Sequence, residues 1–356
     1  MSEYRTVYLD ALGEAVETMT TSWRRLSSLI LVACLIPTAF ANAREALSPP
    51  VKLKIGYISA MYDAPILIAY EKGYFAAEGL DIDLMKMKNA TDSLQALGVE
   101  ALHATTSSSI TPLFNARERG IPLTIVAGAG VHSKGRGVLS LVIRKDLVEN
   151  GRYKSLADLK GMKIVAPLHN PGQWMVVEAA RRVGIAENQI DFVSLGYSNT
   201  IPAMSNKAVD GLVGNEPVGT RATADISAVP VLRMDEVAPM FPVGYVMVGS
   251  YLARANPEAA RRFLIGYIKG VRDARDAFGP ERKDYAKIDT ILTAYDLLLP
   301  PGTILIDLPA DGAASFDNLD LFLDWQVREG SMSKKPDPRS ALDDRFRMDA
   351  LKALDQ

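Results

Sequence analysis

The sequence predicts an α/β protein made of two successive sets of alternating strands and helices, followed by a helical C-terminal part. Three observations carry this expectation. First, an apolar run closes at Glu71-Lys72-Gly73, a short aromatic turn follows, and Gly79 leads into Leu80-Asp-Ile-Asp-Leu84. Gly73 and Gly79 stand where a helix C-cap and its following turn need positive φ. Leu80, Ile82 and Leu84 alternate with Asp81 and Asp83, the period of a strand with one wetter face. Second, strand-like and helix-like stretches alternate from residue 51 to 127 and the pattern restarts at 138, which argues for parallel sheets with helices on both faces. Third, the chain beyond 257 reads as amphipathic helices at 257–275, 284–298 and 314–329.

The elements justify themselves in order. Val51-Lys-Leu-Lys-Ile-Gly-Tyr57 follows Pro49-Pro50 and reads as the first strand. Asp63 suits the cap of a helix that runs through Pro65 to Glu71, since proline is tolerated in a first turn. After the strand at 80–85 come a helix near 91–98, a strand at 101–105, a helix from Ser107–Ser109 to Glu118 and a strand at 123–127. Val138–Ile143 is a further strand. In the second set, Ser155–Leu159 is one capped helical turn ended by Gly161, and 162–167 is a strand. Asn170-Pro-Gly-Gln173 leads into a helix over 173–183. Strands at 191–195 and 209–214 follow, with helices after about Thr200 and after Glu216-Pro217, and Val243–Val248 is the last strand.

A chain of 356 residues calls for two lobes or one large domain. With 48% hydrophobic and 23% charged residues the composition is that of an ordinary globular protein. The 40 basic and 42 acidic residues leave a net charge of −2, so nothing draws the whole molecule toward nucleic acid. Cys34 is the only cysteine, which removes a disulfide framework and a thiolate metal cluster. Three histidines, His103, His132 and His169, restrict metal and acid–base chemistry further, and neither a metal nor a cofactor is expected.

The N-terminus reads as a targeting segment. Arg24-Arg25 precede an apolar run to Phe40, and Ala39-Phe-Ala41 or Ala41-Asn-Ala43 offers a small-x-small cleavage site, so residues 1–43 are expected to be a secretory signal peptide with Met19 as an alternative start. The run is short for a bilayer span of about 20 residues. Leu31-Val-Ala-Cys34 matches a lipobox, but the residues after Cys34 stay apolar, so a cleaved leader and a periplasmic location are the preferred expectation.

Lys72-Gly-Tyr-Phe-Ala-Ala-Glu-Gly-Leu-Asp81 resembles the periplasmic solute-binding proteins of ABC importers, in the nitrate/sulfonate/taurine group that also takes in binders of thiamine-pyrimidine precursors. Thr106–Pro112, Ser155–Val165 and Val209–Pro217 follow in the family's order, and the resemblance spans about residues 52–250. It implies a two-lobed type II periplasmic-binding-protein fold that closes on a ligand held between the lobes, each lobe a mainly parallel sheet flanked by helices, with extra C-terminal helices. Lobe 1 is expected at 51–140 plus 245–356 and lobe 2 at 141–244. The implied partners are a small-molecule ligand and a membrane ABC permease, with the protein itself monomeric and not an enzyme. Two departures bear on the ligand: Asn215 precedes Glu216 where relatives often carry tryptophan, and Asn170-Pro-Gly-Gln-Trp174 replaces a more usual Gly/Ser/Thr-rich turn. A sensory ligand-binding protein is an alternative, as is an enzyme like the thiamine-pyrimidine synthase of the same fold. The synthase relies on a cysteine-rich motif that is missing here.

Candidate ligand-binding residues sit where strands give way to helices, the place at which doubly wound sheets bind ligands. Thr105–Ser109 puts five hydroxyls at a strand end and a helix start, so Ser107, Ser108 and Ser109 offer an anion or polar-ligand site or serve as simple caps. Asn170, Gly172 and Gln173 occupy the equivalent place in the second set, as donors, acceptors and close backbone approach or as an ordinary turn. Asn215 and Glu216, and likewise Tyr62 and Asp63, read either as ligand contacts or as caps of their own helices. Trp174 serves as a cleft wall or a core residue. Gly128–Gly137 is glycine-rich and basic but has Arg136-Gly137 where a phosphate loop needs Lys-Ser/Thr, which leaves a mobile loop near the hinge with His132 or Lys134 as a candidate for the cleft rim. His103 fits a core role, and His169 adjoins the proposed turn.

Overall fold

The computed structural model describes residues 45–195 and 197–355, so the expected signal peptide and Cys34 lie outside the described residues. The first half runs β1 (Val51–Tyr57), α1 (Ala64–Glu71), α2 (Tyr74–Ala77), β2 (Leu80–Lys86), α3 (Ala90–Gly98), β3 (Ala104–Ser107), α4 (Ile110–Glu118) and β4 (Thr124–Gly128). The second holds β5 (Leu139–Ile143), α5 (Lys145–Glu149), β6 (Lys163–Val165), α6 (Pro171–Arg182), β7 (Asp191–Val193), α7 (Tyr197–Ser205), β8 (Gly211–Asn215), α8 (Val218–Ile226), β9 (Val229–Arg233) and α9 (Met234–Val237). β10 (Tyr245–Val248) then precedes four helices, α10 (Pro257–Phe278), α11 (Tyr285–Ala294), α12 (Leu319–Arg328) and α13 (Arg345–Leu354).

The strands form two five-stranded sheets, β2-β1-β3-β10-β4 and β7-β6-β8-β5-β9. Both are mixed. β1 pairs parallel with β2 and β3, and β6 with β7 and β8, whereas β10 runs antiparallel to β3 and β4, and β5 antiparallel to β8 and β9. β5 follows the chain's passage out of the first sheet, and β10 its return. Entering from the side where the parallel strands end, each must run against them. That orientation puts the C-terminal ends of β1, β3, β6 and β8 at the passage between the sheets. The two connecting segments pair with each other there: Ala129 N donates to Gly244 O at 2.9 Å, Val243 N to Gly130 O at 2.9 Å and Met240 N to His132 O at 2.9 Å.

The glycine-marked return is as expected. Gly73 and Gly79 have φ of +71° and +76°. The turn between them docks on α10: Phe75 stacks on Phe263 with centroids 5.2 Å apart, and Lys72 Nζ and the Tyr74 hydroxyl reach Asp273 at 2.9 and 2.6 Å. Glu78 and Arg262 form a buried pair at 3.0 Å. α10 also lies against α1 so closely that a Cβ on Gly270 would stand 2.1 Å from the Pro65 carbonyl oxygen.

One apolar core surrounds the first sheet and α10. A second runs from α3 and α4 into the second sheet and on to α12, where Trp174, Phe241, Phe322 and Trp325 pack edge to face or tilted. Trp174 is therefore a core residue, 2% exposed. α12 follows the first-sheet helices in sequence yet packs on α6, with Trp325 Nε1 donating to Glu187 Oε2 at 3.0 Å.

Sequence reasoning did not find β9, α5 and α13. β9 carries Pro230, which removes a ladder donor, and the strand occupies the sheet edge where proline is tolerated. α13 starts at an aspartate, Asp344, whose side chain makes no cap hydrogen bond.

Candidate ligand site between the two sheets

The first wall is set by Asp63. Its Oδ2 accepts from the backbone of Ile58 at 3.0 Å and Ala60 at 2.8 Å, and its Oδ1 accepts the Thr106 hydroxyl of β3. The side chain is fully buried, and burial raises its carboxyl pKa to about 6 against those hydrogen bonds. Asp63 thus folds the loop after β1 and ties it to β3. Tyr62 is buried beside it, and burial pushes its pKa above the ordinary tyrosine range. Thr105 donates to Gly56 O at 3.0 Å, and Ser107 donates to Ala90 O at 3.3 Å while accepting from Ser109 N at 3.1 Å. Of the five hydroxyls, Ser108 and Ser109 are the ones on half-exposed residues at the start of α4.

The second wall is more self-contained. Asn170 caps α6, its Oδ1 accepting from Gly172 N at 2.8 Å and Gln173 N at 3.1 Å. Gln173 Oε1 accepts from His169 N at 2.6 Å, and its Nε2 donates to Glu187 Oε1 at 2.9 Å. A Cβ on Gly172 would meet Val213 of β8 at 2.8 Å, so glycine here serves the packing of α6 on the sheet. His103 accepts from Lys54 N through Nδ1 at 2.8 Å and packs on Tyr251.

One side chain joins the walls. Gln326 of α12 is completely buried; its Oε1 accepts from Thr111 of α4 at 2.9 Å and its Nε2 donates to His169 O at 3.0 Å. The glycine-rich segment 128–137 is held by Arg136, which donates to Leu305 O at 3.0 Å and Ile306 O at 2.8 Å. His132 is not at a rim but buried, 2% exposed, and its Nδ1 has no hydrogen-bond partner. Burial pushes its pKa down to about 3.

Asn215 ends β8 opposite Leu139 and is exposed, whereas Glu216 is 6% exposed and accepts from Thr220 N, in the first turn of α8, at 3.2 Å. Its carboxyl faces a cavity of about 260 Å³ bounded by Ser140, Thr220 and Arg233 of the second sheet's side and by Pro301, Gly302 and Ile304. Those last residues belong to the segment that docks on the first lobe's loop, where Ile306 N contacts Met61 Sδ at 3.0 Å. Burial raises the Glu216 pKa; the Thr220 hydrogen bonds and the Arg233 charge oppose that shift. Arg233 and Ser140, which complete this cavity, were missed from sequence because β9 was missed and because Ser140 sits inside an apolar strand.

The profile of the NMT1/THI5-like family covers residues 60–277. The chain belongs to that family. The riboflavin-binding protein RibY of Chloroflexus aurantiacus is 26% identical over 266 residues, 69% of this chain and 71% of that protein. Among solved structures, the nitrate-binding protein NrtA of Synechocystis superposes with a TM-score of 0.67 at 14% identity, covering 87% of this chain and 90% of that one. The aliphatic sulphonate-binding protein SsuA of Escherichia coli gives 0.65 at 17% identity, over 82% and 92%. The two-lobed α/β fold expected from the sequence is therefore the fold of the chain. Enzymes share it: the desulfurization enzyme DSZB superposes with a TM-score of 0.61 at 14% identity, over 85% and 99%. A yeast pyrimidine phosphate synthase is 26% identical over 228 residues, 60% of this chain and 63% of the enzyme. Among the described residues no helix is long and apolar enough to cross a membrane.

Proposed function

We propose that this protein is the extracytoplasmic solute-binding component of an ABC importer, which captures a small polar or anionic organic solute between its lobes and delivers it to a membrane permease. The lobes are 51–140 with 245–356, and 141–244; the chain acts as a monomer and is exported by the leader in residues 1–43. The observation that carries the reading is the convergence of strand ends from both sheets on one passage, with a polar cavity bounded by residues from both sides. Family membership, the relative RibY and the folds of NrtA and SsuA support it.

Within that passage, Tyr62, Ser108, Ser109 and Glu216 are the proposed contacts, while Asp63, Asn170, Gly172 and Gln173 shape the loops that present them; Ser107 and Asn215 stand beside them. Three or four hydrogen bonds to a charged group, at about 1.5–3 kcal/mol each, leave micromolar binding of about −8 kcal/mol after the costs of association. Closure of two lobes on the solute is a hinge transition of known type. The test is thermal unfolding with a panel of sulfonates, nitrate, aromatic acids, pyrimidines and amides: one class should raise the melting temperature. A melt unmoved by every class counts against the reading. An enzyme of the synthase type is the competing reading, favoured by the shared fold; it requires that the stabilising solute be chemically changed on incubation.

A further inference from the structure

The two faces of the passage are built differently. On one face the lobes share a single apolar core, which takes Leu113 and Phe114 of α4 from the first lobe and Leu141 and Trp174 from the second. α12 lies in this core: Trp174 and Phe241 each meet Phe322 edge to face, with centroids 5.8 and 5.9 Å apart. Hydrogen bonds follow the same line. Ahead of α12, Ser315 Oγ donates to Met240 O at 2.7 Å; Asn318 Nδ2, at its start, donates to Pro239 O at 2.8 Å, and Gln326 spans α4 and the turn at 169. On the other face the cores stay apart. Val248 of β10 enters the first lobe's core with α10, and Val142 of β5 enters a separate core with Val218 of α8. Their strand neighbours Met247 and Leu141 point the opposite way, into the shared core. Between the separate cores lies the cavity of about 260 Å³, bounded by Pro301 and Gly302 and by Ile304, whose backbone donates to Glu216.

We propose that the lobes are hinged along α12 and open on the α10 face alone, with the turn at 301–304 as the moving gate. Opening on the α12 face carries Trp174, Phe241 and Trp325, each 2% exposed or less, into water and strips Gln326 of both its bonds. Opening on the α10 face separates two cores that are already apart and wets a cavity lined by Ser140, Glu216 and Arg233. The apolar area newly exposed decides between the two. For a solute binder this gate is the route in and out; the asymmetry itself does not depend on that reading.

The experiment is thiol labelling of the folded protein with N-ethylmaleimide in the absence of any solute. Cys34 is the chain's only cysteine, so the unaltered protein serves as the control. Ser140→Cys sets a thiol, at a position 3% exposed, on the wall of the gate cavity. Thr111→Cys sets one on the α12 face, where the native hydroxyl meets Gln326. Each labelling rate is compared with the rate that the variant's own global unfolding equilibrium allows. Ser140→Cys is expected to exceed that rate by about a hundredfold or more, through local opening, and Thr111→Cys to match it. The Ser140→Cys rate should stay flat at low urea, while the Thr111→Cys rate should climb with the slope of global unfolding. Should either variant fail to fold, Thr303→Cys in the gate and Gln326→Cys on α12, both buried positions, repeat the comparison. A gate thiol that reacts only through global unfolding overturns the proposal, and so does a thiol on the α12 face that outruns it. Because no solute is present, either result leaves the binder reading to its own test.

Discussion

Glu216 and Arg233 line one cavity without pairing, the carboxylate held by the first turn of α8 and the guanidinium by the end of an edge strand. Burial raises the Glu216 pKa in the ligand-free protein. A solute that donates to this carboxylate is held more tightly by its ionised form, so affinity should strengthen as pH rises through that raised pKa and level off above it. Titrations, between pH 4 and 8, of the solute that raises the melting temperature test this. Glu216→Gln should give a flat profile across the same range.

Gln326 is the next test, because it bonds to both halves at once. Truncation to alanine leaves the buried Thr111 hydroxyl and the carbonyl of the exposed His169 without their partner. The expected loss is about 1–3 kcal/mol, carried by the buried hydroxyl, because water can satisfy the carbonyl. Urea unfolding at fixed pH measures it, with an unchanged denaturant slope showing that the folded state kept its compactness.

His132 and Asp63 predict opposite pH dependences. The folded chain keeps His132 neutral down to about pH 3, whereas its ordinary pKa is 6.5. The unfolded chain takes up a proton as pH falls below 6.5, so stability held at this residue is complete above that pH and is lost on acidification. Asp63 has its pKa raised from 3.8 to about 6, so the folded chain keeps a proton that the unfolded chain has released, and stability falls as pH rises across that window. Replacing His132 with phenylalanine, beside Phe241, should therefore shift the stability difference in the variant's favour as pH drops from 6.5 to 4. Unfolding free energies of both proteins at each pH check this, and a difference independent of pH would refute a buried neutral imidazole.

Two glycines should respond differently to alanine. At Gly270 the new Cβ meets the Pro65 backbone at 2.1 Å, so α10 must move off α1 and a loss above about 2 kcal/mol is expected. At Gly73 nothing lies within 4 Å, and only the positive φ is strained, at a cost of about 1 kcal/mol. Paired melts of the two variants give the order directly.

The parts of the fold that sequence revealed are those governed by local rules. Gly73 and Gly79 announce their turn through positive φ, and Asn170 announces a helix start through a side chain that caps it. The mixed character of the sheets was not legible, because the direction of β5 and β10 depends on which side the chain enters, a property of topology rather than of residue pattern. The site was legible by position and not by role. Asp63 and Gln173 stand where a ligand contact was expected, yet their acceptors serve their own loops. Arg233 was hidden behind Pro230, in a strand that periodicity alone does not reveal.

The most direct test of the central claim is mass spectrometry of the protein purified from its own host, recorded first under native conditions and then after denaturation. The account predicts one small molecule per chain in the native spectrum, released on unfolding and restoring the melting temperature when added back. A native mass equal to the bare chain, together with melts that no solute in the panel raises, would contradict it.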